Sequence, residues 1–394
     1  MKQFLILMTL VAVVSDYLLH PFYPQFFEAR FGVSDPKYVG YYFGAICFMV
    51  MIAFPFWAYI SKKRAELNIL IYTQFIAGVL ALYCYWTTSY IEFWIVSLVM
   101  ILFKGSYLLV YPYLLKIITK EEHPATIGLL SVVVHLGGIL GAVIGGLTVD
   151  LIDASYIFLF MALGDFIQMG MSAYMLKSKR FNTDPIKFEE EAIAIKRKFV
   201  LKPFILKIGL VTMVLYFSDF LIRPFFSTYW ESISEYDSKF ISGTVYAIPG
   251  FVALLVLWAS EKFLKNSNYK NIIVILGIGA CGMILQGIPI QAVVVTGRII
   301  YGWAIFKSVV QFDILLFELS SPDSYALDYS KVHFFQNLGV LISSFSVGIM
   351  VENFGVQIPF SVAFVGFVIT LGMYYLLFKV KNDVTEKITK PETT

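Results

Sequence analysis

The sequence predicts an all-α membrane protein, with twelve transmembrane helices arranged as two pseudo-symmetric six-helix bundles. Three observations predict it. The first is composition: 59% of the 394 residues are hydrophobic and 14% are charged, against roughly 25% charged in a soluble domain. A water-soluble chain of this length could not hide so much apolar surface. The second is a recurrence of apolar segments, each long enough to cross about 30 Å of hydrocarbon. The third is a near-repetition of the first half of the chain in the second, at an offset of 203 residues. The same composition excludes disordered, collagen-like, coiled-coil and nucleic-acid-binding classes.

In chain order the segments are 3–27, 38–60, 68–89, 91–117, 126–149, 154–176, 204–228, 240–260, 271–289, 291–317, 332–353 and 357–378. The first holds Asp16, His20, Pro21 and Pro24 and has no small-residue cleavage site, so it reads as a retained helix rather than a signal peptide. The eighth and ninth are short, and the tenth carries several charges. Most connections are short enough for hairpins of neighbouring helices. One is not: Lys177 to Pro203 holds eight basic and four acidic residues. The plan is therefore an N-terminal bundle at 1–176, a cytoplasmic linker at 177–203, a C-terminal bundle at 204–378 and a cytoplasmic tail at 379–394.

Orientation follows from loop Lys and Arg, which favour the cytoplasmic side. Lys62-Lys63-Arg64, the linker, Lys262, Lys265, Lys270 and the tail fall on one side; Arg30, Lys37 and Lys239 fall on the other. Both termini are expected in the cytoplasm, with the chain in a bacterial inner membrane. Cys47, Cys84 and Cys281 lie in apolar stretches and form no disulfide framework or metal pair.

The repeat is direct. Ser15-Asp16-Tyr17-Leu18-Leu19-His20-Pro21-Phe22 matches Ser218-Asp219-Phe220-Leu221-Ile222-Arg223-Pro224-Phe225. The following loops match through Asp35 and Lys37 against Asp237 and Lys239. The fifth and eleventh segments match through Leu136-Gly137, Gly146 and Asp150 against Leu338-Gly339, Gly348 and Glu352. Three matches at nearly one offset indicate a duplicated six-helix unit. Parallel repeats of this kind are an architecture of secondary transporters.

An ionisable group at mid-membrane costs about 2.5–3.5 kcal/mol on insertion scales and is a functional candidate by default. Asp16, Lys104, His135, Asp165 and Asp219 lie near the middle of their segments; His20, Arg223, Arg298 and Lys307 lie off-centre. Asp16 and His20 are four residues apart, on one face of a continuous helix; Asp219 and Arg223 repeat the spacing. Histidine can lose its charge near neutral pH and arginine cannot, which makes Asp16 the better proton carrier of the two pairs. Lys104 is a lone cation whose simplest partner is Asp16. Arg298 and Lys307, nine residues apart, point in opposite directions around a straight helix. Asp165 must turn inward, with Gln168 near it, either as polar packing or as a proton relay. Gly137, Gly141 and Gly145 form one helical stripe that lets another helix approach closely, either as static packing or as a sliding surface.

At these motifs the chain resembles the major facilitator superfamily of secondary transporters. Gly137-Gly138-Ile139-Leu140-Gly141-Ala142-Val143-Ile144-Gly145-Gly146 is similar to the GxxxGPxxGG motif of its twelve-helix drug:proton antiporter branch, with Ala142 in place of proline. Pro21 and Pro24 match that branch's PxxP. The loop motif GxLADRxGRR is reduced here to Pro55 through Arg64, with Tyr59 in place of its acid, and Arg298 with Gly302 resembles a further family motif. The resemblance implies that segments one, four, seven and ten line a central cavity. It implies a proton-coupled antiporter that exports a small organic solute by alternating access, as a monomer in the bilayer.

An importer of the same fold is the alternative, since direction is set by coupling; a receptor or scaffold has no evident use for the buried charges. The intramembrane cations and the aromatic surplus favour an amphiphilic, anionic solute, for instance a carboxylate-rich siderophore. No catalytic or ATP-binding motif occurs, so neither an enzyme nor a pump is expected. The proton gradient stands in place of a cofactor, and no metal site is expected.

Overall fold

The computed structural model describes residues 2–61, 63–118, 123–178, 202–236, 238–259, 269–320 and 325–389. Most of the linker (179–201), Lys62, Asp237, Lys262, Lys265 and Lys390 lie outside the described residues. Among the described residues, regular structure is helical throughout. The first predicted segment is α1 (Lys2–Tyr17), a 3₁₀ turn (His20–Phe22) and α2 (Tyr23–Phe31). Then come α3 (Pro36–Ser61), α4 (Glu66–Trp86), α5 (Tyr90–Lys104), a 3₁₀ turn (Gly105–Leu109), α6 (Val110–Lys116), α7 (His123–Leu151) and α8 (Ile157–Lys177). The second half is α9 (Pro203–Leu221), α10 (Phe226–Ile233), α11 (Lys239–Ala259), α12 (Tyr269–Gln286), α13 (Gln291–Leu319), α14 (Tyr325–Phe354) and α15 (Ile358–Thr389). Eleven spans among the described residues are long and apolar enough to cross a membrane, and Asn271–Gln286 is a shorter apolar helix at the ninth predicted position.

Contacts divide the described residues into two compact units. One lies within Met1–Val200 and Pro224–Leu254, the other within Leu201–Arg223 and Leu255–Thr394. In the first, α1 packs on α7 and α8, and α4 packs on α8 and α5. In the second, α9 packs on α14 and α15, and α12 packs on α15 and α13. The two sets of pairings are the same after the repeat offset. Small residues set them. A Cβ on Gly164 would meet the Ser15 hydroxyl, and one on Gly366 would meet that of Ser218. Gly78 meets Phe166 as Gly279 meets Phe367, and Gly137 faces α1 as Gly339 faces α9.

The first span breaks after Tyr17. Pro21 is the second residue of the 3₁₀ turn and Pro24 the second of α2, and neither has an amide to continue the helical ladder. Pro224 falls at the matching interruption between α9 and α10. The break overturns one expectation: Asp16 ends a helix that His20 does not continue, so the two do not share a helical face. Gly32, at φ 67°, closes α2 in the left-handed conformation, its amide on the Glu28 carbonyl at 3.0 Å. Arg30 donates to the carbonyls of Tyr85 and Thr87 at the end of α4, where a cation suits the helix dipole. At the start of α3, Asp35 accepts the Lys37 amide at 3.0 Å and pairs with its ammonium at 2.5 Å. A slight desolvation opposes these contacts, which prevail and hold the Asp35 carboxyl below its ordinary value.

Much of the aromatic surplus is packing. Phe26, Phe93 and Phe158 form a mutual cluster with centroids 5.2–5.6 Å apart, and Phe27 and Tyr42 extend it. All five are fully buried, so these rings are unavailable to a solute.

Candidate functional site

Three ionisable side chains meet inside the first unit. α1 contributes Asp16, α5 ends on Lys104 and α8 contributes Asp165. The Lys104 ammonium lies 3.1 Å from Asp16 Oδ1 and 3.7 Å from Asp165 Oδ1. The Asp16 side chain is 32% exposed, whereas Lys104 is 5% and Asp165 0% exposed. Among the described residues neither carboxylate oxygen of Asp165 has a hydrogen-bond partner, and its contact with Lys104 is the longer of the two. One ammonium between two carboxylates leaves one negative charge over. A buried charge demands compensation. Gln168 is buried one turn from Asp165, but its amide is turned to the Gly164 carbonyl at 3.4 Å.

The second unit holds a cationic counterpart. Asp219 Oδ2 pairs with Arg223 at 2.5 Å, and Tyr301 donates its hydroxyl to Asp219 Oδ1. Arg298 is buried; it donates to Gln286 Oε1 at 3.3 Å and lies over the Tyr301 ring. Lys307 is also buried, on the same helix as Gln311, whose Oε1 is buried without a hydrogen bond.

The remaining candidates lie elsewhere. His20 is enclosed by aromatics: it stacks on Tyr17 at 5.3 Å, meets Phe43 edge-on at 4.9 Å, and shares a 3.2 Å hydrogen bond between Nδ1 and the Tyr246 hydroxyl. His135 is half-buried on α7, its carbonyl facing Gly250 of α11. The glycine stripe faces α1. A Cβ on Gly137 would meet Val13, one on Gly141 would meet Tyr17 and the Val14 carbonyl, and one on Gly145 would fall on the Leu18 carbonyl. The neighbouring face of α7 meets α11 instead: Ile139 faces Gly250, the Ala142 carbonyl faces Gly243, and Gly146 faces the Lys239 carbonyl. Asp150, at the end of α7, caps α11. Its carboxylate accepts the amides of Lys239 at 2.5 Å and Phe240 at 2.8 Å, and the Ser238 hydroxyl at 2.8 Å.

Sequence reasoning missed Tyr301, Gln286 and Gln74, and also Asp313, a half-buried acid on α13. An acid inside an apolar segment is a signal, and Asp313 carried it. A tyrosine or glutamine in such a segment is too common to be singled out.

The sequence profile of the Major Facilitator Superfamily matches residues 5–312. A curated relative from Bacillus subtilis (strain 168), described as the uncharacterized MFS-type transporter YuxJ, is 21% identical over 387 residues, covering 94% of this chain and 96% of its own. Among solved structures, a bacterial homologue of the human lysosomal transporter Spinster, inward-facing and occupied, matches with a TM-score of 0.78 at 14% identity over 96% of both chains. The nucleoside transporter NupG matches at 0.70 and 12% identity, covering 96% and 98%. The human organic anion transporter MFSD10 (TETRAN) matches at 0.69 and 14%, covering 95% and 98%. At these identities the likeness is one of fold.

Proposed function

The chain belongs to the major facilitator superfamily of transporters, and from that premise we propose that it is a proton-coupled antiporter exporting a small amphiphilic anion by alternating access. The observation that carries the reading is Lys104 shared between Asp16 and Asp165. Asp165 is sealed from solvent and Asp16 is partly open, so a proton arriving at Asp16 changes which carboxylate the ammonium must neutralise. The pairing then differs between the loaded and unloaded states. A coupling ion needs that differential interaction to drive a conformational equilibrium.

The cationic side chains Arg223, Arg298 and Lys307, two of them buried, support an anionic solute. One neighbour of the same fold is described as an organic anion transporter, which accords with this reading. Export rests on the glycine-rich resemblance at residues 137–146, and both termini are placed in the cytoplasm on the distribution of Lys and Arg. A thermal-shift comparison of aromatic carboxylates with tetraphenylphosphonium tests the solute class. Carboxylates should stabilise the protein, and Lys307→Ala should abolish that stabilisation. Stabilisation by the cation alone would sink the anionic reading.

A further inference from the structure

The fourth span is bent where it carries its lysine. α5 ends at Lys104, a 3₁₀ turn covers Gly105–Leu109, and α6 resumes at Val110. Gly105 sits so close to α3 that a Cβ would collide with Ala53. Inside a membrane the carbonyls at such a bend need donors from neighbouring helices. Two arrive. Trp57 of α3 donates its indole N–H to the Leu102 carbonyl at 2.7 Å, and Gln74 of α4 donates to the Lys104 carbonyl at 3.3 Å. Gln74 is fully buried, and its amide also donates to Ser106 Oγ at 3.2 Å. Ser106 in turn lies 2.6 Å from Thr73 Oγ1, which donates to the Ile69 carbonyl at 2.8 Å. The amide nitrogen of Gln74 thus spans the bend, holding the residue before Gly105 and the residue after it.

The repeat supplies a comparison within the same chain. Phe103-Lys104-Gly105-Ser106 is matched by Phe306-Lys307-Ser308, which lacks the glycine, and α13 runs unbroken through it. At the offset of 201 that matches Gly78 to Gly279 and Phe166 to Phe367, Gln74 and Asp165 fall on Ile275 and Gly366. The bend, the amide that spans it and the second carboxylate occur together in the first half, and all three are missing from the second.

We propose that Gln74 is the positioning residue of Lys104: by fastening both sides of the bend it holds the ammonium between Asp16 and Asp165. The proposal rests on the reading of that triad as the proton site. Lys104 from α5 and Asp16 from α1 are the ionisable groups that face Asp165, and Tyr107 from the turn and Tyr17 lie with Asp16; α4 brings the neutral Gln74 and Thr73.

The test uses the full chain in lipid bilayers with protons as the only ligand. Infrared difference spectra across a pH titration should contain a protonated-carboxyl band that disappears in Asp165→Asn. In Gln74→Leu, of similar volume but without donors, the midpoint of that band should move by about one pH unit to higher pH, a tenfold change in proton affinity. An ammonium held less closely leaves the carboxylate to a proton. Ser106→Ala should move it less and in the same direction; this variant decides the matter if Gln74→Leu does not fold. Trp57→Phe removes the other donor at the bend and should lower the melting temperature without moving the midpoint. An unmoved midpoint in Gln74→Leu, or in Ser106→Ala where that variant decides, would overturn the positioning role and leave the triad standing. Absence of any Asp165-dependent band in the wild type would overturn both.

Discussion

Lys104 shows how one side chain can be a structural necessity at the place where the proposed switch would act. It is buried between two carboxylates that α1 and α8 bring to it from opposite ends of the first repeat. Removing it would leave both carboxylates without their shared cation, one of them on a fully buried residue. Breaking a buried pair in this way costs about 3–5 kcal/mol, so Lys104→Ala should lower the melting temperature sharply, and Lys104→Ala with Asp165→Asn should recover much of it. Thermal denaturation of the two variants in detergent checks this; equal melting temperatures would mean that the charges are not coupled. The Lys104–Asp16 partnership could be read from the sequence, since both residues stand near the middle of apolar segments. The third member could not be assigned. Asp165 had to turn inward, but which helix it met depends on how α8 packs, and Gly164 beside Ser15 is what brings α8 against α1.

Helices and their breaks decide what these side chains can reach. The sequence placed all twelve segments, because an apolar run of membrane length is a strong and local signal. It read the first segment as one helix, although Pro21 and Pro24 carried the warning. That break separates His20 from Asp16 and places it among Tyr17, Phe43 and Tyr246 instead. The glycine stripe was equally visible, but a stripe does not name its partner. Gly145 lies against the Leu18 carbonyl, a backbone atom that cannot step aside, whereas a Cβ on Gly138 would stand 3.6 Å from Tyr17, an ordinary contact. Gly145→Ala should therefore reduce folded yield and melting temperature severely, and Gly138→Ala should leave both near wild type. Size-exclusion chromatography and thermal denaturation of the pair decide it. If both variants behave as wild type, the close approach of α1 and α7 is not required. The α11-facing side of α7, with Gly146 and the Asp150 cap, is the separate seam at which α7 and α11 are joined.

At the scale of the molecule, duplication explains both the symmetry and the departures from it. The two halves repeat their helix pairings and their small-residue contacts, and each places an aspartate on its first span and a lysine on its fourth. They differ in their other groups. The first half has Asp165, a bend and Gln74; the second has Arg223, Arg298 and Asp313, with Tyr301 on Asp219. On the proposed reading the proton binds among the acids of the first half and the anion near the cations of the second. The most direct test is proton movement in proteoliposomes that contain a pH-sensitive dye in the lumen. Adding an aromatic carboxylate outside should drive protons outward as the solute enters, and Asp16→Asn should abolish that proton flux while solute exchange at equal pH persists. Proton flux undiminished in Asp16→Asn, or solute entry with no proton movement in the wild type, would contradict the account.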